Sequence, residues 1–509
     1  MNDIKRYHPL IIVFELWKLV RNSAFFALFL FVLKYNSEAA FVRYGRIAFI
    51  VILGFSIVHI FIKWFTHKYK LDDTSFHIYK GIFTKSKQTI PFINVQNVNR
   101  HTSLFHRIFK VTSLRLATGM EGSDATIEFT VISPTEADNI ERRMCVPILD
   151  EAKTTQPSEG EKGVSPSGVQ PEMQHADRTA PHRMIHFKPT KKDVLKASFT
   201  SLSFLILIPL LGSLYTKVDE IFNVEKEAEG LLSTILSSWW LVTNVVIGLI
   251  VISVSIGIIR TFLKYGEYEI SSDTNRIYIK KGVVDSTSFS ISKQKVQAIE
   301  ITQSTMKRML GLVEVKLISA GGTNDEEDKQ EINTLYPFLP VTRAYKLISE
   351  ILPSYEVTEE MTRLPQKSLW VRMLKPSWFW LISTGALYYF KPKLLGWEHT
   401  WWVLSIVLFV CVYVSRLFDF FHTRFTLNHN YIQIKTGALT TSLFVSRRDK
   451  VIEVKVTRNL LQQRLGLASI ETVQQAKPVC RTTINDVPIE MARAFYTWYL
   501  GRTNEINVK

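Results

Sequence analysis

Cysteine is scarce in this 509-residue sequence, which has only Cys145, Cys411 and Cys480. The three lie far apart, and none has a His or Cys neighbour at the spacing of a metal site. The sequence therefore predicts neither a disulfide framework nor a zinc site. Unpaired thiols are typical of domains in a reducing compartment.

The short motifs of common catalytic sites are also absent. The sequence has no His-Glu-x-x-His, no Gly-x-Ser-x-Gly, no Walker loop and no Gly-x-Gly-x-x-Gly. His59 is the only histidine deep in an apolar run, and a lone imidazole four residues from Lys63 more often packs through a hydrogen bond than performs a function. We expect no catalytic, cofactor-binding or metal-binding residue, no cofactor and no enzymatic activity.

Ionisable side chains are rare within five long apolar runs, at residues 47–65, 195–215, 239–259, 378–390 and 401–418. A spanning helix needs roughly 20 apolar residues, which most of these runs approach. A shorter run at 23–33 reaches that length only with residues 16–22, whose Lys18 and Arg21 would snorkel. The pattern predicts a membrane protein with six transmembrane helices as three hairpins, rather than a soluble protein with buried helices.

One pattern recurs behind each hairpin. Gly81, Gly282 and Gly437 each close an alternating polar and apolar run, and a valine follows 14 residues later, at Val95, Val296 and Val451. Counting 29 residues from each glycine reaches Lys110, Gly311 and Gly466. These structural repeat positions predict a threefold internal repeat. The first glycine of each copy is expected to serve backbone geometry at a hairpin turn rather than to bind a ligand.

Each repeat reads as a strand meander that ends in one helix, which begins in the first copy at Ser133-Pro134-Thr135-Glu136. The fold class is therefore an α+β membrane protein in which each hairpin precedes a bent β-sheet or barrel with a C-terminal helix. The predicted segments are hairpin 1 at 1–65, β domain 1 at 66–149, a disordered linker at 150–183, hairpin 2 at 184–261, β domain 2 at 262–357, a linker with hairpin 3 at 358–418, and β domain 3 at 419–509.

This order resembles the bacterial pleckstrin-homology (PH)-like membrane-flanking domain, and three tandem copies look like the YdbT-type multi-pass membrane proteins. The Leu-Gly-Leu element of the pattern surrounds Gly311 and Gly466, whereas the first copy has Phe109-Lys110-Val111. The resemblance implies PH-like domains, plasma-membrane residence and no assigned catalytic activity. It further implies self-association as a homo-oligomer, or pairing with a smaller single-repeat membrane homologue.

Three other functions are weighed against this interpretation. A transporter built from three repeated hairpins is the alternative, but the apolar runs offer few of the buried charges that transport paths carry. Nucleic acid is not expected as a partner, because the +16 net charge comes from basic residues that lie mainly beside the apolar runs. A phosphoinositide site is disfavoured because polar or acidic residues such as Asp72-Asp73 and Ser272-Asp273 occupy the first hairpin turns.

The distribution of Lys and Arg predicts orientation. Basic residues flanking the outer ends of the hairpins outnumber those in the connections by seven to three, six to two and five to two. Both termini and all β domains are then cytoplasmic. We expect a membrane-anchored, non-enzymatic binding or scaffolding protein, within a cell-envelope complex, that presents three cytoplasmic PH-like domains to protein partners or to the lipid bilayer surface.

Overall fold

The computed structural model of the chain describes residues 4–34, 39–72, 74–81, 85–118, 126–145, 183–200, 239–320, 334–391, 400–476 and 479–501. The predicted linker lies outside these residues except for Arg183, as does most of the first helix of hairpin 2. The chain divides into unit 1 (Met1–Met184) and unit 2 (Ile185–Lys509). The domain boundaries given above stay predictions.

Thirteen α-helices occur in the described residues. They are α1 (Ile11–Ala27), α2 (Ala40–Thr66), α3 (Leu104–Ile108), α4 (Pro134–Cys145), α5 (Lys191–Thr200), α6 (Trp239–Tyr265), α7 (Thr305–Met309), α8 (Val341–Ile351), α9 (Gln366–Leu374), α10 (Trp378–Phe390), α11 (Thr400–His422), α12 (Leu460–Leu465) and α13 (Ile489–Leu500). A π-helical segment, Leu28–Leu33, continues α1.

The strands of unit 1 are β1 (Lys5–Arg6), β2 (Lys68–Leu71), β3 (Ser75–Lys80), β4 (Ser86–Pro91), β5 (Val95–Thr102), β6 (Thr112–Thr118) and β7 (Thr126–Ile132). β1 to β4 form one antiparallel sheet in sequence order. β5, β6 and β7 are joined in a second antiparallel ladder. Alternation buries Phe76 and Ile78 on one face of β3, and they share a core with Leu114, Leu116 and Phe129 from the second ladder.

Thirteen further strands follow the short strand β8 (Met184–Phe187). They are β9 (Glu269–Ser272), β10 (Arg276–Lys281), β11 (Ser286–Ser292), β12 (Val296–Gln303), β13 (Leu312–Ser319), β14 (Thr334–Pro340), β15 (Thr362–Arg363), β16 (Arg424–Leu427), β17 (Tyr431–Thr436), β18 (Thr441–Arg447), β19 (Val451–Thr457), β20 (Leu467–Gln474) and β21 (Cys480–Pro488).

Unit 2 contains a seven-stranded sheet that two repeats share. Its order is β14-β13-β12-β18-β17-β16-β15, so three strands of the second repeat continue into four strands of the third. The joint is the antiparallel pair β12 and β18, in which Ala298 faces Ser446 and Gln303 faces Thr441. β19, β20 and β21 form a separate three-stranded sheet. Each repeat in unit 2 therefore contributes strands to two sheets.

The same irregularity marks all three repeats. The fifth strand of each begins at a buried valine, Val95, Val296 or Val451, and the register shifts within the next two residues in every copy. A β-bulge at a fixed place bends the strand and increases its twist. The matching bulges align the three repeats residue by residue.

The membrane helices differ from the expected six. In the described part of the chain, two helices, α2 and α11, are long and apolar enough to cross a bilayer. α10 has 13 residues, which at 1.5 Å per residue spans only about 20 Å, and α1 has 17. Apolar side chains on α2 are open to the surroundings, as Phe41 (79% exposed) and Phe55 (74%) show. α10 covers the same residues as the apolar run at 378–390, so its short length was already visible in the sequence.

Of the two expected forms of the β domains, sheet and barrel, the described strands show the sheet, because they form open sheets with linear order. The sequence pattern identifies strands but not their partners across repeats, and β12 pairs with β18 of the next repeat. The helix that closes each unit is present as α4, α8 and α13. These observations establish an α+β fold with sheets.

Candidate functional site

The repeat positions lie at backbone turns and strand starts and do not converge on one cavity. Gly81, Gly282 and Gly437 have φ values of 114°, 93° and 117° at hairpin turns. A Cβ on Gly282 would lie 2.0 Å from the carbonyl oxygen of Asp285, and one on Gly437 would lie 2.0 Å from that of Thr440. Substitution there requires the turn to move.

The second set of repeat positions ends the short helices α3, α7 and α12. Gly311 and Gly466 have φ values of 65° and 70°, and a Cβ on either would meet open space. Lys110 holds the same place in the first repeat with φ 52°. A side chain is therefore sterically accommodated at this place, in contrast to the hairpin glycines.

A cavity of about 530 Å³ in unit 1 lies where α1 and the end of α2 meet the β strands. α1 contributes Glu15, Trp17, Lys18 and Arg21; the end of α2 contributes Lys63 and Trp64; and Lys80 and Glu128 come from β3 and β7. We call this the junction cavity. Its wall is held by the indole of Trp64, whose Nε1 donates to the Tyr7 carbonyl oxygen at 3.0 Å.

The charges around the junction cavity are mainly positive. Lys63 Nζ lies 3.3 Å from Glu15 Oε1, while Glu128 is engaged by Arg115. Burial lowers the pKa of His67, and the positive charges of Lys63 and Lys80 lower the pKa further. Burial also raises the pKa of the Tyr7 phenol to about 12, so this hydroxyl stays protonated at neutral pH. The cavity suits an anionic or polar group rather than a cation.

A buried charge cluster lies in unit 2 where the third hairpin begins. Arg372 on α9 is 7% exposed, and its Nη1 donates to Asp419 Oδ2 on α11 at 2.6 Å. Its Nε lies 3.5 Å from Oδ2 of Asp486, which is fully buried on β21. Gln462 Nε2 donates to Asp486 Oδ1 at 2.7 Å. We call Arg372, Asp419, Gln462 and Asp486 the Arg372 cluster.

The Arg372 cluster connects three kinds of element: the short helix α9, the membrane helix α11 and the β strands. Asp419 Oδ1 also accepts from the backbone N–H of Gly437 at 3.0 Å, so the hairpin turn of β17 and β18 belongs to the same network. Arg416 Nη1 donates to the Lys375 carbonyl oxygen at 2.5 Å. The sequence identifies Arg372 only as a basic flank of the third hairpin, because nothing in its local pattern points to Asp486 more than 100 residues away.

A metal site receives no support from the described residues. No group of three or more His, Cys, Asp or Glu side chains in the described ranges is placed to hold a metal ion. The Arg372 cluster uses its carboxylates on cations of the protein itself. The described part of the chain thus offers a junction cavity and a structural ion-pair network.

Comparison with known proteins gives matches along most of the chain. The family model described as the bacterial PH domain matches three regions, residues 24–144, 208–354 and 380–503. The UPF0699 transmembrane protein YdbT of Bacillus subtilis (strain 168) is 22% identical over 515 aligned residues, which cover 98% of each chain. No solved structure matches.

Proposed function

This chain belongs to the bacterial PH domain family, and we propose that it is a multi-pass, non-enzymatic membrane scaffold with three PH-like domains at the cytoplasmic face. Its likeness over almost the whole length of a transmembrane protein supports the membrane part. The proposal concerns what the repeated domains do there: they hold protein partners beside the bilayer.

The observation that carries the proposal is the Arg372 cluster. Its contacts tie α9, α11 and β21 to one another through ion pairs and hydrogen bonds between largely buried groups. A β unit held in this way keeps a fixed orientation to the membrane helix, which favours presenting a surface over moving freely on a tether. Unit 1 uses a different contact for the same purpose, the Trp64 indole on the Tyr7 carbonyl.

Orientation follows from the basic residues that flank the hairpins. Lys367, Arg372 and Arg416 lie beside the third hairpin, on the side where the β strands begin. Under the positive-inside rule this side is cytoplasmic. The proposal includes six transmembrane helices and a cytoplasmic location for both termini.

The test is purification of the tagged protein from native membranes in mild detergent after brief cross-linking in intact cells. A scaffold predicts a defined set of envelope proteins in near-stoichiometric amounts. As a control for the loss of a surface charge, the variant Arg363→Ala, changed at an exposed strand position, should retain the same set of envelope proteins. If the protein is recovered alone, and vesicles containing it take up solute, the transporter alternative replaces the scaffold.

A further inference from the structure

Two edge strands, β4 in the first repeat and β19 in the third repeat, each lie at one side of a sheet. β4 is last in the order β1-β2-β3-β4, and β19 is first in the order β19-β20-β21. β4 ends at the same distance in sequence after Gly81 as β18 ends after Gly437, so these two strands are equivalent. β19 likewise begins at the same distance after Gly437 as β12 begins after Gly282. The strands equivalent to β4 and β19 are therefore the two that pair at the joint of unit 2.

That joint supplies a template. β12 and β18 pair over six residues, and side chains reinforce the ladder: Ser442 Oγ donates to Glu300 Oε1 at 2.7 Å, and Ser446 Oγ donates to the Gln297 carbonyl oxygen at 3.0 Å. Pairing buries most of both strands. The joint thus shows that these two strand positions are complementary in this chain.

The equivalent strands are far more open. Ser86, Lys87 and Thr89 of β4 are exposed. Along β19, Val456 is 38% exposed and Thr457 is also exposed. Strand positions that are covered within unit 2 are thus open where the repeats end, and an exposed strand at a sheet edge is a template for pairing with another chain.

We propose that β19 of one copy of this chain pairs antiparallel with β4 of a second copy. The product is a sheet of three plus four strands, β21-β20-β19 followed by β4-β3-β2-β1 of the second copy, with the same arrangement as the seven-stranded sheet of unit 2. The contact joins different surfaces of two identical chains, so repetition builds a ring or a filament. The proposal rests on the proposed function in one respect, that the first and third β units lie on the same side of the membrane.

Repeat equivalence gives the register. Transferring the β12 and β18 pairs predicts Glu453 opposite Ile90, Val454 opposite Thr89, Lys455 opposite Gln88, Val456 opposite Lys87 and Thr457 opposite Ser86. No two like charges are directly opposite in these five pairs, which avoids the repulsion that such pairs suffer.

Pro91 and Arg458 are the residues that could oppose this pairing, and both lie outside the five predicted pairs. Pro91, which has no N–H, corresponds to Arg447, one residue beyond the last pair of the template. The next pair in the other direction would bring Arg458 opposite Lys85. The Arg458 Nε donates to the Leu467 carbonyl oxygen at 3.0 Å and Nη2 donates to that of Gln463, so the guanidinium is engaged by its own chain.

The occupant is a second copy because every copy carries both edges, while β4 and β19 of one copy belong to different sheets and are not paired with each other. The competing explanation is that Lys87 and Lys455 protect the edges against any pairing, a common use of lysine on edge strands. The two explanations differ in whether Thr89 and Val454 of different copies come together.

Disulfide trapping tests the register. Two differently tagged chains without the native cysteines are coexpressed, one carrying Thr89→Cys and the other Val454→Cys, and isolated membranes are treated with a mild oxidant. We expect a cross-linked product that contains both tags. The matched control replaces Thr89→Cys with Gln88→Cys, which points to the other face and should give at least about tenfold less product.

A charge series at one exposed residue gives an independent measurement. Val456→Lys places a cation opposite Lys87 and should weaken self-association in detergent about twofold to fivefold, whereas Val456→Glu should preserve or strengthen it. Both substitutions alter the same exposed position, so unfolding would affect them alike. Equal effects of the two variants contradict the pairing.

Three results overturn the proposal: no cross-link in membranes where the protein is intact, equal cross-linking of the register and control pairs, or capture of a different protein by the Val454→Cys thiol. Failure of the proposed function has another signature, since labelling of intact cells would then place the first and third β units on opposite sides of the membrane. The two failures are therefore distinguishable.

Discussion

The two membrane junctions of the described chain are built differently. In the third repeat, ion pairs of the buried Arg372 guanidinium with Asp419 and Asp486 connect α9, α11 and β21. In the first repeat, an indole hydrogen bond and a partly exposed Lys63–Glu15 pair surround an open cavity of about 530 Å³. The contrast indicates that the repeat conserves its strand geometry while the connection to the membrane varies. One junction is held together by ion pairs, and the other leaves room for a polar or anionic group.

The largest effect is expected at the closed junction. Arg372→Ala removes one of the two cations that lie 3.5 Å from the fully buried Asp486 and leaves the partly exposed Lys375 as the other. Removing one partner of a buried pair costs up to about 3–5 kcal/mol. Lys63→Ala at the open junction should cost less than about 1 kcal/mol, since exposed pairs contribute little. Detergent-solubilised variants compared by thermal unfolding measure both. Similar losses at the two sites would remove the contrast.

A second prediction separates the two kinds of repeat glycine. Gly437→Ala should destabilise the third repeat by more than about 2 kcal/mol, because its Cβ would collide with the Thr440 carbonyl and the Asp419 contact would be disturbed. Gly466→Ala has open space and should cost only the left-handed backbone penalty of about 1–2 kcal/mol. Thermal unfolding of the two variants checks the order, and equal losses would show that the turn yields easily.

A smaller effect is expected from pH at the open junction. Because burial and neighbouring cations lower the pKa of His67 in the folded chain, the unfolded chain takes up a proton more readily as pH falls through the ordinary value of 6.5. His67 therefore contributes a loss of stability on acidification, and His67→Gln should reduce the difference between unfolding temperatures at pH 7.5 and pH 5.5. An unchanged difference would mean that the His67 environment is more hydrated than the packing indicates.

Local sequence pattern was sufficient for much of the repeat. Alternation marks β3 through Phe76 and Ile78, and the spacing from glycine to valine locates the start of the fifth strand in every copy. These features depend on neighbours in sequence, as hairpins and alternating strands do. Family membership followed from the same positions.

The remaining features depend on distant residues. Nothing in β12 specifies that its partner is β18 of the next repeat rather than a strand of its own, and more than 130 residues separate Thr302 from Ser442. Asp486 has positive φ and lies in a loop-like polar stretch of β21, so its burial against Arg372 has no local signature. The π-helical form of Leu28–Leu33 was equally hidden, because this segment is as apolar as an ordinary α-helix.

The central claim is that every PH-like domain faces the cytoplasm. The most direct measurement is labelling of single cysteines in a cysteine-free background with a membrane-impermeant maleimide. Leu439, which is 63% exposed beside β18, is replaced in one variant, Leu439→Cys, and Glu227 of the predicted outer connection in another, Glu227→Cys. We expect Glu227→Cys to react in intact cells and Leu439→Cys to react only after permeabilisation. Reaction of Leu439→Cys in sealed cells would contradict the account.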